Sequence, residues 1–140
     1  MCSSDLSNIT YTLGANVENL TLTGTGNTWA TGNAQANVLV GNAGNNSFYG
    51  QGGQDSMRGG LGNDFYSVTG DNEQVTELAG EGTDSVGLSD LMSYVLPDNV
   101  ENFVSFVEGG TASGNQLNNL MAGWVANDNI SGLEIGRAHV

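Results

Sequence analysis

Large apolar residues return at every ninth position in the middle of the chain, at Leu39, Phe48, Met57 and Tyr66. Each follows by two places a residue with a short oxygen-bearing side chain, Asn37, Asn46, Asp55 or Asp64, and each block opens on a glycine, Gly32, Gly41, Gly50 or Gly59. Nine residues are too few, and the glycines too many, for a repeating helical unit, since glycine costs about 1 kcal/mol per helical position. Alternation of apolar and polar residues at Leu20 to Thr23, Val38 to Val40, Val75 to Leu78 and Phe103 to Val107 predicts short strands instead. Leu88 to Tyr94 is the one stretch where a short helical turn is expected. A fixed short period marks a stacked solenoid in which each unit touches only its neighbours. If successive blocks alternate between two facing sheets, one coil takes 18 residues, so Leu39 stacks on Met57, Phe48 on Tyr66, Asn37 on Asp55 and Asn46 on Asp64. The fold expected is all-β, a parallel β-roll (β-solenoid) of stacked nonapeptide repeats.

A longer period encloses the first. Residues 9–19 (ITYTLGANVEN) return as residues 92–102 (MSYVLPDNVEN), and Gly32, Asn33, Asn37 and Gly41 correspond to Gly114, Asn115, Asn119 and Gly123. The two ends, MCSSDL and EIGRAHV, can be written as translations of one inverted DNA sequence that is similar to a sequencing adapter. Residues 1–6 and 134–140 are therefore set aside as non-native, and the rest is read as a fragment. The expected organisation is a strand-and-loop part of a first super-repeat (7–31), a nonapeptide β-roll (32–67), a connecting part (68–91) and a truncated second super-repeat (92–133).

Charge narrows the partners. The formal net charge is −13, with two Lys and Arg residues in all, and within residues 7–133 only Arg58 is basic. Such a chain repels nucleic acid and anionic membranes and favours a cationic partner, a metal ion being the simplest. No apolar run approaches the roughly 18 residues of a membrane span. The only Cys (Cys2) and the only His (His139) lie in the segments set aside, so residues 7–133 hold no disulfide, no His-based zinc site and no Ser-His or Cys-His nucleophile. An enzyme is not expected.

The nine-residue block carries its own chemistry. Glycine turns present backbone carbonyls beside one carboxylate, and stacking two turns gathers oxygen donors of the kind a hard cation takes at about 2.3 to 2.6 Å. The block GGLGNDFYS (residues 59–67) fits Gly-Gly-x-Gly-x-Asp-x-U-x, with U large and apolar, in full, and GQGGQDSMR (residues 50–58) misses only the second glycine. In these residues the chain resembles the RTX, or haemolysin-type, calcium-binding repeat. The flanks, Val75-Thr76-Glu77 with Gly80 to Val86, and Val17 to Leu20, are similar to the family's longer repeat.

The resemblance implies a secreted, extracellular module that binds Ca2+ and folds when it does. The metal residues it implies are Asp55, Asp64, Asn37 and Asn46, with Gly50, Gly53, Gly59 and Gly62 supplying turn carbonyls. Asn37 and Asn46 stand where the family has Asp; they are read either as ligands or as rungs of a structural Asn ladder. With one carboxylate per site, affinity is expected in the range of about 10⁻⁴ to 10⁻³ M found in extracellular modules. Glu73 with Asp71 would form a poorer third site, and Asp128 belongs to a turn whose stacking partner is not in the sequence. Glu77 and Asp84 are read as a solvated face, and Trp29 and Trp124 as packing residues, each without a second aromatic in company. Open strand edges make self-association a further expectation. Two other readings stand beside calcium: a calcium-independent structural or adhesive solenoid, and a polysaccharide-binding accessory module of a secreted enzyme.

Overall fold

The computed structural model describes residues 3–69, 72–90, 93–106, 111–123 and 129–131. Their strands, in chain order, are β1 (Ser4–Ser7), β2 (Tyr11–Thr12), β3 (Asn19–Leu22), β4 (Trp29–Thr31), β5 (Val38–Val40), β6 (Ser47–Tyr49), β7 (Ser56–Arg58) and β8 (Phe65–Val68). They continue as β9 (Gln74–Thr76), β10 (Ser85–Leu88), β11 (Ser93–Val95), β12 (Asn102–Ser105), β13 (Thr111–Ser113), β14 (Leu120–Gly123) and β15 (Asn129–Ser131). Odd and even strands separate: one sheet runs β1-β3-β5-β7-β9 and the facing one β2-β4-β6-β8-β10-β12-β14, all parallel. After β9 the first sheet stops, and β11-β13-β15 form a third. The fold is the all-β parallel solenoid that the period predicts. No helix occurs among the described residues, so none is long and apolar enough to cross a membrane. Of the stretch from Leu88 to Tyr94, expected as a helical turn, Leu88 ends β10 and Ser93 and Tyr94 belong to β11, while Leu91 and Met92 lie outside the described residues; Val86 and Leu88, one strand period apart, both face the core, and Ser85 to Leu88 pair with Phe65 to Val68.

The nine-residue period sets the register. Leu39 pairs with Met57 and Phe48 with Tyr66, 18 residues on in each case. Continued pairing builds two internal ladders, Leu20-Leu39-Met57-Val75 on one sheet and Ala30-Phe48-Tyr66-Val86-Phe103-Met121 on the other. All ten of these side chains are buried. The Phe48 and Tyr66 rings stack with centroids 5.0 Å apart, close to the strand spacing of about 4.8 Å. Three residues of the segment set aside at the start, Ser4 to Leu6, pair with Asn19 to Thr21; an open sheet edge accepts any extended backbone, so the pairing carries no information on their origin. Residues 134–140, Trp124, Asp71 and Asp128 lie outside the described residues.

Candidate metal centre

Turns join the two sheets along two edges, and the sixth residue of every block stands at an edge, just before a strand. One edge carries Asn37, Asp55 and Glu73; the other carries Asn46, Asp64 and Asp84. The registers place Asp55 over Asn37, Glu73 over Asp55, Asp64 over Asn46 and Asp84 over Asp64. A backbone ladder ties successive rungs: the N–H of Asn37 donates to Asp55 Oδ1 at 2.7 Å, that of Asn46 to Asp64 Oδ1 at 2.7 Å, and that of Asp64 to Asp84 Oδ1 at 2.8 Å. One carboxylate oxygen of Asp55, Asp64 and Asp84 is therefore committed to the coil before it.

The turns fall into two kinds. In the Asn turns, the sixth-place amide oxygen accepts from the second-place N–H, Asn33 to Asn37 Oδ1 at 2.7 Å and Asn42 to Asn46 Oδ1 at 2.8 Å. The second-place amide then reaches back one coil: Asn33 Nδ2 donates to the carbonyls of Gly14 and Val17, and Asn42 Nδ2 to those of Thr23 and Gly26. Asn37 Nδ2 also donates to the Val17 carbonyl at 3.2 Å. Side-chain N–H groups thus occupy carbonyls that face the turn. The same bonds recur at Asn115 and Asn119, to the carbonyls of Pro97 and Val100. In the Asp turns the second place is Gln51 or Gly60, and no Asn stands there. Nothing in the spacing of single positions reveals this; the signal is the pair, Asn at both second and sixth place against Asp at the sixth with no Asn at the second.

First-place glycines are required by close approach. A Cβ on Gly50 would overlap the Asp55 carboxylate, and one on Gly59 would overlap both Asp64 Oδ2 and the Tyr66 hydroxyl. At the fourth place, Gly53 and Gly62 hold left-handed backbone, with φ of 96° and 120°. Carbonyls and carboxylate are packed together by backbone alone.

The structure corrects the reading of Glu77 and Asp84. They are not a solvated face: Glu77 is 4% exposed and Asp84 1%, beside Asp64 at 2%. Eighteen residues after Gly59, Glu77 takes the position of a first-place glycine, and a turn two residues longer follows it before Asp84. Its side chain grows in the direction that Gly59 leaves empty, and the Tyr66 hydroxyl donates to Glu77 Oε1. Ligand oxygens of Asp64, Glu77 and Asp84 all lie within 4.8 Å of one another. Asp64 Oδ2, Glu77 Oε2 and Asp84 Oδ2 are buried and accept no hydrogen bond.

Burial, which disfavours the charged form, pushes Asp64 and Glu77 up to about 7 and Asp84 to about 6; repulsion from nearby carboxylates adds to it, Asp84 and Glu81 acting on Asp64 and Glu77, and Glu101 and Glu81 on Asp84. Burial and the bond to Glu77 drive the Tyr66 phenol upward as well. Arg58 does not relieve the cluster; it pairs at the surface with Glu81 at 3.4 Å. Glu73 is also buried, its Oε1 accepting from the Thr69 N–H and hydroxyl.

Trp29 has aromatic company after all. It stands 56% exposed with its ring 6.3 Å from that of Tyr49, which in turn is 6.5 Å from Phe65. Neighbouring planes are inclined by 62° and 53°, so Trp29 meets Tyr49 edge-on and Tyr49 is tilted against Phe65, as diagonal cross-strand neighbours rather than a flat platform.

These features define a class: a parallel β-roll whose glycine turns line up buried carboxylates for a hard cation. Residues 31–66 match the RTX calcium-binding nonapeptide repeat in four copies. Residues 31–66 are thus a run of RTX calcium-binding nonapeptide repeats, a kind of repeat that binds Ca2+. No curated protein and no solved structure matches the chain.

Proposed function

We propose that this chain is a calcium-responsive folding module that works outside the cell. The single observation carrying the reading is the buried acidic edge, where Asp55 and Asp64 are 1% and 2% exposed in a chain almost without cations. Buried charge is costly unless it is paired or coordinates a metal. Calcium suits the donors, which are all oxygens: the Asp55 and Asp64 carboxylates, with carbonyls of Gly50, Gly53, Gly59 and Gly62. Asn37 and Asn46 complete each site from the coil before, their N–H groups fixing the carboxylate orientation.

In the absence of cation the stacked carboxylates repel and the glycine turns are entropically costly to order. Calcium bound to the folded state alone stabilises it by RT ln(1 + [L]/Kd), about 1.4 kcal/mol per site for about 1 mM ion and a Kd of about 10⁻⁴ M. Two or three such sites suffice to move a marginal chain from unfolded to folded, and millimolar calcium is met outside cells. Replacing Asp55 and Asp64 together by Ala tests this. The variant should show no calcium-induced gain in melting temperature, and an undiminished gain would refute the assignment of these two residues.

A further inference from the structure

We propose that Asp64, Glu77 and Asp84 form a calcium site of their own, built where the nonapeptide run meets the next coil. Glu77 and Asp84 lie beyond the matched residues 31–66, and their site differs in design from the nonapeptide turns. There, one carboxylate works with carbonyls, and the first place must be glycine because any side chain would strike the acid. Here the first place is Glu77, and the longer turn to Asp84 makes the room that a nine-residue block lacks. Three ligand oxygens converge within 4.8 Å, each side chain at least nine-tenths buried, and Asp64 Oδ2, Glu77 Oε2 and Asp84 Oδ2 have no protein partner.

The second oxygen of each is already fixed. Asp84 Oδ1 accepts from the Asp64 N–H, Asp64 Oδ1 from the Asn46 N–H, and Glu77 Oε1 from the Tyr66 hydroxyl. The three remaining oxygens are buried and left without a protein partner, which carboxylates merely sharing a surface would not be. Among the described residues the one cation is Arg58, held by Glu81. Three hard oxygens, with no nitrogen or sulfur donor among them, select a hard divalent ion, and adaptable carboxylate geometry favours Ca2+ over Mg2+. Bound there, the ion would tie the last complete nonapeptide turn to the turn of β9 and β10, joining both sheets.

The proposal rests on the calcium reading above but adds a ligand set that can fail separately. Calcium binding to the 140-residue chain is counted by isothermal titration, comparing wild type with Glu77→Gln and with Asp55→Asn. Glu77→Gln should lower the number of ions bound by one, or weaken one class of site on the order of tenfold through loss of a ligand charge; Asp55→Asn should leave that class in place. Because Gln removes repulsion while keeping the shape, the variant in chelator should melt no lower than wild type, whereas a purely structural Glu77 would lower it. Terbium gives an independent readout: its emission, sensitised through Tyr66, should fall in Tyr66→Phe and in Asp84→Asn. A wild-type chain that binds no calcium would overturn the calcium reading as a whole. Calcium binding unchanged in both Glu77→Gln and Asp84→Asn would overturn this site alone.

Discussion

At the scale of residues, the first and sixth places of each block act as a pair. Where the sixth place is Asn or Asp and the turn is short, the first must be glycine; Gly59→Ala should therefore lower the melting temperature in calcium and in chelator alike, because the new Cβ meets Asp64 and the Tyr66 hydroxyl whether or not an ion is bound. The raised carboxyls add a pH dependence. Asp64 moves from an ordinary 3.8 to about 7, Glu77 from 4.5 to about 7 and Asp84 from 3.8 to about 6. All three hold protons in the folded chain that the unfolded chain has released, so their contribution to metal-free stability is fully present below about pH 4 and is lost as pH rises to about 7. Melting in chelator across that window should show the fall, and the gain from added calcium should grow over the same range, since the ion competes with those protons. A metal-free melting temperature that rose steadily from pH 4 to 7 would contradict the burial of the cluster.

At the scale of elements, strands are short and nearly interchangeable, and the turns carry the differences. The stacking of Leu39 on Met57 and Phe48 on Tyr66 was legible because a strict period admits one register. So were the columns through Asp55 and Asp64, which follow from the same count. The burial of Glu77 was not legible: its place in the column emerges only once the longer turn to Asp84 is seen to restart the period, and a lone Glu beside Leu78 reads equally well as surface. The Asn turns were half legible, as amides at the edge, but the bonds reaching back to Val17 and Gly26 depend on three-dimensional stacking. They lead to a prediction for Asn37→Asp. The change replaces an N–H donor facing the Val17 carbonyl by an oxygen, so it should lower the melting temperature in chelator, by about 1 to 3 kcal/mol of stability for the unsatisfied groups. In calcium the same change supplies a second carboxylate beside Asp55, and the apparent affinity of that edge should rise. A variant equally destabilised in both conditions would show that the edge takes no ion at Asn37.

At the scale of the whole molecule, the long repeat explains why the sheets change partners. The matched segments begin at β2 and β11, nine strands apart, and an odd number of half-coils delivers the second copy to the opposite side of the roll. Thus β3 lies in the first sheet and its counterpart β12 in the facing one, while Asn16 and Asn99 keep the same left-handed turn, with φ of 65° and 64°. The three-carboxylate cluster sits in the coil where the first sheet ends and the third has not begun. On the calcium reading proposed above, charge along both edges would let one cation species order the roll coil by coil, since each coil is held chiefly by its neighbours. The most direct test is far-UV circular dichroism of the whole chain during a calcium titration from chelator to millimolar ion. The account predicts a reduced sheet signal in chelator, with a low but measurable melting transition, that grows cooperatively as calcium is added and is reversed by chelation. A full sheet signal in chelator, unchanged by calcium, would contradict it.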